Sequence, residues 1–414
     1  MRIDTPTGAR ERSRRMSRST GATVPQVIAA HPVRDQLERL ADGPGGAEAA
    51  RAIGAGRRLG LVVGDEPALT LRTTETGIVI DDDISEARVV VALDETAFAD
   101  LAAERHSIFG LLYAGRLWVE RGSVGGFGKW EPGLQALLYG RPVYDAAVAA
   151  TFDGLDVGRS FTLADDPAEL AEFLDRFGYL HVRGVLTAAE IEAVSDEVDC
   201  LRAEADPSDG HSWWATRADG TEVCCRLTYL AQRSETIAEL GRHERLLGLA
   251  ALPGLDLQLL PDRGDGLAVV IKHPTVTSGL SDLPWHRDCG LGGHPLLCPG
   301  LNIGVQLDRA DAANGQLWFL PGSHRHGGPS DDPWTSRFPI VAIDTEPGDV
   351  TVHYGHVLHV APPPSAPDAG RRALYLSFAR PELFEVIPAG AAYNDVVYSG
   401  GDGRIRNIAE PTTA

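Results

Sequence analysis

Two hydrophobic rhythms divide the chain. Between about residues 56 and 120 the apolar residues come in short dense runs: Leu59-Gly-Leu-Val-Val63, Ala68-Leu-Thr-Leu71, Gly77-Ile-Val-Ile80 and Arg88-Val-Val-Val-Ala-Leu93. Gly, Asp and Pro break these runs, a pattern that predicts strands. Phe98, Leu101 and Ala102 then recur at helical spacing, Leu117-Trp-Val-Glu120 reads as one more strand, and Trp130 to Leu138 as a closing helix. With an Ala-rich helical stretch around 33–55 in front, the prediction is a small α+β domain over residues 30–145.

The pattern changes after Pro142-Val-Tyr-Asp145. Asp166-Pro167 ahead of Leu170, Phe173 and Leu174 predicts a helix with proline at its first position. Tyr179-Leu-His-Val182 is a short strand, and Thr187-Ala-Ala-Glu190 a capping box opening a helix on Ile191, Val194 and Val198. From about residue 255 strands dominate: Leu267-Ala-Val-Val-Ile271, Leu301-Asn-Ile-Gly-Val-Gln-Leu307, Leu317-Trp-Phe-Leu320, Val350-Thr-Val352 and Ala373-Leu-Tyr-Leu-Ser-Phe378. Strands so spaced, joined by Gly/Pro turns and two long loops, predict a double-stranded β-helix, or jelly roll, over residues 146–414.

Composition narrows the partners. A chain of 414 residues, 43% hydrophobic and 23% charged, has material for two cored domains. No apolar run is long enough to cross a membrane. Arg2, Arg10, Arg12, Arg14, Arg15 and Arg18 lie among Ser, Thr and Gly with no apolar stretch of a secretory signal, so residues 1–29 read as a basic disordered tail. A net charge of −20 argues against a nucleic-acid backbone or an anionic membrane as main partner, and the partner expected is a small-molecule substrate. Cys200, Cys224, Cys225, Cys289 and Cys298 are odd in number and form no CxxC pair, which fits free thiols in a reducing cytoplasm. Oligomeric state is open at this level.

The chemistry centres on Trp285-His286-Arg287-Asp288. On a strand or at its end, residues two apart point to the same side, so His286 and Asp288 can offer an imidazole nitrogen and a carboxylate oxygen to one metal. His359 is the candidate third ligand, with His353 ranked second; His353 and His356 read as part of the strand that ends at His359. Two histidines and one carboxylate on one face of an octahedron leave three positions open, the pattern of non-haem Fe(II) oxygenases.

Asn314-Gly-Gln-Leu-Trp-Phe-Leu-Pro-Gly-Ser-His324 lies between the candidates, Pro347-Gly-Asp349 leads toward His359, and Arg371-Arg372-Ala373 opens the next strand. In this order of motifs, over about residues 160–385, the chain resembles the phytanoyl-CoA dioxygenase family, a branch of the Fe(II)/2-oxoglutarate oxygenases. The resemblance implies Fe(II), 2-oxoglutarate and O2, with release of succinate and CO2 and hydroxylation as the default outcome. It implies His286, Asp288 and His359 as metal ligands and Arg371 as the residue holding the far carboxylate of 2-oxoglutarate. A guanidinium grips a carboxylate through two parallel hydrogen bonds, which lysine does not reproduce. The stretch after His359 departs from the family and its linker to Arg371 is one residue longer, so Arg372 stays open as the alternative. Lys272, one of only two lysines, lies on the strand before His286 where the family often carries a lysine near the cofactor.

The segment Ala87-Arg-Val-Val-Val-Ala-Leu93, Asp94 to Leu101 and Leu112 to Val119 resembles the sterol carrier protein type 2 family, which implies an apolar tunnel. A lipid or hydrophobic-metabolite carrier with a non-catalytic barrel is therefore the alternative to an oxygenase, and a zinc or manganese hydrolase is disfavoured for want of a general base. Asp288 disfavours halogenation, which replaces the carboxylate ligand with a small residue. Trp213, Trp214, Arg217, Arg226 and Tyr229 are candidates for the mouth of the barrel, Trp318 for a packed wall, and Tyr393 and Tyr398 for a lid. His324 and His326 read as surface or supporting groups, and His294 and Cys289 as bordering the substrate.

Overall fold

The computed structural model describes residues 33–113, 115–279, 281–289, 299–329, 333, 337–367, 369–387 and 389–390. The tail 1–29, His294, Cys298, Tyr393 and Tyr398 lie outside the described residues.

The dense apolar runs of the first part become β1 (Arg58–Val63), β2 (Leu69–Thr73), β3 (Ile78–Asp81), β4 (Val89–Leu93) and β5 (Leu117–Arg121). They form one sheet in the order β3-β2-β1-β4-β5, with β1 and β4 parallel and the other pairs antiparallel. Strand β4 is buried along its whole length, as expected of an unbroken Val/Ala/Leu run between two neighbours. The Ala-rich stretch is two helices, Val33–Ala41 and Pro44–Ile53, broken at Asp42-Gly43. Helix Pro44–Ile53 packs against helix Glu131–Tyr139, where Gly45 lies so close that a Cβ would meet the Ala136 carbonyl at 2.5 Å. The apolar core of this part runs from Val33 to Val143, and a second core begins at Tyr144.

In the second part, helix Pro167–Phe177 is capped by Asp166, with Pro167 at its first position. Helix Ala188–Ala203 opens on a reciprocal box in which Thr187 accepts from the Glu190 amide and Glu190 accepts from that of Thr187. The strands are β6 (Tyr179–Val182), β7 (Ser212–Arg217), β8 (Glu222–Leu227), β9 (Gln258–Leu259), β10 (Ala268–Lys272), β11 (Val276–Ser278), β12 (Leu301–Gln306), β13 (Leu317–Phe319), β14 (Val341–Ile343), β15 (Val350–Tyr354), β16 (His359–Val360) and β17 (Arg371–Ala379).

The large sheet runs β11-β7-β8-β10-β17-β12-β15-β6, with β9 also on β17; the small one is β14-β13-β16. All their strand pairs are antiparallel. The small sheet lies across the β15–β6 end of the large one, Phe319 stacking on Tyr179 at 4.6 Å and standing 5.5 Å from His353.

One sequence expectation is corrected. His353 and His359 do not share a strand: β15 ends at Tyr354 in the large sheet, and His359 opens β16 in the small one. The chain changes sheets through Gly355, which has no room for a side chain because a Cβ there would stand 2.7 Å from the Cys289 sulfur. His356 lies in this crossing, outside any strand.

Candidate metal centre

His286 and His359 face each other across an isolated antiparallel bridge, each amide donating to the other's carbonyl at 3.0 Å. This pairing brings a residue of the loop after β11 onto the first residue of β16, with ring centroids 4.3 Å apart. Asp288, two residues on, turns to the same side: its Oδ1 is 3.5 Å from His286 Nε2 and 3.6 Å from His359 Nε2. One atom from each of the three residues lies within 4.8 Å of the others, close enough to share a metal ion.

The outer nitrogens are already committed. His286 Nδ1 bonds the Pro284 carbonyl at 2.7 Å and His359 Nδ1 that of Val357 at 3.1 Å. A carbonyl only accepts, so each ring carries its proton on Nδ1 and turns a bare Nε2 lone pair to the centre, the form a metal requires. Burial, with His286 and His353 beside it, pushes His359 down to about 3, although Asp288 opposes this. Burial alone would push Asp288 up, but His359 beside it and the hydrogen bond with His353 hold it well below the usual carboxylate range. On these hydrogen bonds the centre presents two imidazole Nε2 atoms and one carboxylate.

The other Asp288 oxygen is braced. Oδ2 accepts from Asn302 Nδ2 at 2.6 Å and bonds His353 Nε2 at 3.0 Å, and Asn302 Oδ1 accepts from the Ser377 hydroxyl at 2.8 Å. His353, second choice as a ligand, therefore faces inward but holds the carboxylate. Sequence reasoning missed Asn302. The signal was present in Leu301-Asn-Ile-Gly-Val-Gln306, where apolar residues alternate with small or polar ones and Asn302, Gly304 and Gln306 share the inner face.

The two arginines separate by strand parity. Arg371 is 2% exposed; its Nε donates to the Gly315 carbonyl at 2.7 Å, Nη1 has no hydrogen-bond partner, and no carboxylate among the described residues pairs with it. Arg372 points the other way, forked onto Asp308 through two 2.9 Å bonds and reaching Asp199. Lys272, directly across from Arg371 in the β10–β17 pairing, is buried and bonds Asp282 at 2.6 Å and the Ala361 carbonyl at 2.7 Å. Tyr375, on the same face of β17 as Arg371, bonds Arg371 and lies within electrostatic reach of Asp288. Gly304 makes room for it: a Cβ there would stand 2.8 Å from both the Tyr375 ring and the Thr351 hydroxyl. A buried cation without an anionic partner is costly, so Arg371 matches a site for a ligand's carboxylate.

Of the mouth candidates, the Arg226 guanidinium lies 4.8 Å over the Trp213 ring and pairs with Asp265. Trp214 donates to the Ser212 hydroxyl and Arg217 to the Pro274 carbonyl. Tyr229 is buried, and its hydroxyl donates to the Gly264 carbonyl. His324 stacks on Tyr354 at 5.3 Å, and His326 Nδ1 bonds the Gly322 carbonyl. Trp318 sits on β13, paired with Ala342 and Val360.

Among solved structures, AviO1 from Streptomyces viridochromogenes Tue57 is 25% identical, with 54% of this chain and 98% of that chain covered and a TM-score of 0.43. The non-heme alpha ketoglutarate dependent epimerase SnoN from nogalamycin biosynthesis is 25% identical over 52% of this chain and 84% of its own, with a TM-score of 0.41. EctD from S. alaskensis, solved with bound Fe, is 22% identical over 55% of this chain and 82% of its own, with a TM-score of 0.42. No curated protein matches the chain. No helix of the described residues is long and apolar enough to cross a membrane. Residues 174–373 match the family model described as Phytanoyl-CoA dioxygenase (PhyH), and the matched segment contains Lys272, His286, Asp288, His359, Arg371 and Arg372.

Proposed function

We propose that the second part of the chain is an Fe(II)- and 2-oxoglutarate-dependent dioxygenase with a jelly-roll fold, hydroxylating a small-molecule substrate. The observation that carries this reading is one pairing: an open His286/Asp288/His359 face, and a buried Arg371 that no carboxylate among the described residues neutralises. Two imidazoles and one carboxylate suit iron with open positions. When bound, iron and 2-oxoglutarate supply the activation of O2, with the co-substrate oxidised to succinate and CO2 and the second oxygen atom delivered to the substrate.

The protein's own contribution is positioning. His286 and His359 hold Nε2 lone pairs toward the metal, locked by their carbonyl partners. Asp288 offers Oδ1 while Asn302 and His353 restrain Oδ2. Arg371 receives the far carboxylate of 2-oxoglutarate, with Lys272 adding positive charge beside it and Tyr375 closing the space toward Asp288.

Anaerobic equilibrium dialysis tests this arrangement. Wild type binds one Fe(II) and then 2-oxoglutarate; His359→Ala loses the metal; Arg371→Gln keeps the metal and loses 2-oxoglutarate. Failure of the wild-type protein to bind either would sink the reading.

A further inference from the structure

The metal ligands belong to the barrel, yet the segments that carry them are backed by the first part of the chain. Arg287, between two ligands in sequence, donates from Nε to the His356 carbonyl at 2.9 Å and from Nη2 to that of His326 at 3.1 Å. Both receiving segments rest on residues that precede the barrel. The His356 ring meets Arg141 Nη1 at 2.7 Å, and the same Nη1 is 2.5 Å from Glu104 Oε1. Next to His326, the Gly327 amide donates to the Pro142 carbonyl at 3.0 Å.

Glu104 carries a second, independent mark. Its φ is +54°, a left-handed conformation that disfavours a side chain with a Cβ. Such strain persists where the surroundings hold it and concentrates at functional sites. Glycine would relieve it, but would lose the carboxylate that reaches Arg141.

We propose that the N-terminal domain is a working part of the metal centre, with Glu104 and Arg141 as positioning residues that act through His356 and Arg287. Glu104 aims Arg141 at His356; Arg287 ties that segment to His286 and Asp288; His359 follows three residues after His356. Misplacing either segment moves ligands whose distances to a metal tolerate deviations of only about 0.2 Å. This inference rests on the metal reading above, and partners behind a ligand commonly change metal affinity by about 10–100-fold.

The test uses the full chain, anaerobic Co(II) titration read by its visible ligand-field spectrum, and the thermal midpoint of each apo-protein. Arg141→Ala and Glu104→Gly are compared with wild type and with Arg141→Lys. Glu104→Gly keeps the fold safe because glycine accepts the positive φ. The proposal expects Co(II) affinity to fall about tenfold or more in Arg141→Ala and Glu104→Gly, with an altered spectrum and partial recovery in Arg141→Lys. Wild-type affinity and spectrum in both variants would overturn it, as would an affinity loss that only follows the unfolded fraction. A wild-type protein that binds no Co(II) would instead overturn the metal reading, and this inference with it.

Discussion

His353 Nε2 bonds the Oδ2 oxygen of Asp288 at 3.0 Å, across 65 residues of sequence, while Oδ1 is left to face His286 and His359. The carboxylate is thereby fixed in the rotamer that offers a single oxygen to the metal. His353→Phe removes this restraint and leaves Asn302 as the remaining brace. Metal affinity in the variant should drop about 10–100-fold with little change in the far-UV spectrum, and Asn302→Ala should behave alike. An unchanged Co(II) titration in both would show that Asp288 needs no restraint.

Strand parity makes the two arginines opposite in behaviour. Arg371→Lys keeps the charge but loses the fork, so 2-oxoglutarate binding should weaken about tenfold or more, by the 1.5–3 kcal/mol typical of a charge-assisted bond, with Fe(II) binding intact. Arg372→Gln severs the pairs with Asp308 and Asp199, which costs about 1 kcal/mol of stability and leaves 2-oxoglutarate affinity unchanged. Calorimetric titration of both variants separates these outcomes.

Much of this was legible before the fold was known. The HxD triplet was read from residue type and spacing, because residues two apart share a side, while the distal histidine and the arginine pair were placed by the resemblance in the order of motifs. The helix starts at Asp166-Pro167 and Thr187 were equally local, since capping needs only neighbours in sequence. What escaped depends on contacts that sequence spacing does not encode. The exit from the large sheet at Gly355 answers to the Cys289 sulfur, and this put His353 and His359 on different strands. The bond of Arg141 to His356 arises only when two separately cored parts meet.

Lys272 gives the site a pH dependence. Burial, partly offset by Asp282, pushes its amine from 10.5 down to about 8. Its folded value lies below its unfolded one, so the buried ammonium weakens the fold below about pH 8, and this cost is lifted as pH rises from about 8 toward 10.5. The 2-oxoglutarate carboxylate favours the ammonium. Affinity should therefore be level below pH 8 and decline above it. In Lys272→Arg, which stays charged, the decline should vanish. A wild-type profile that is flat to pH 9.5 would remove Lys272 from the cofactor site.

The central claim is that this centre oxidises 2-oxoglutarate. The most direct measurement is succinate formed by anaerobically purified protein given Fe(II), 2-oxoglutarate and air, with His286→Ala alongside. Oxygenases of this type turn over slowly without their substrate, so succinate should appear with wild type and not with His286→Ala. Equal succinate from the two would assign it to free iron. None from either, with no Fe(II) or 2-oxoglutarate bound, would contradict the oxygenase and favour a carrier with a non-catalytic barrel.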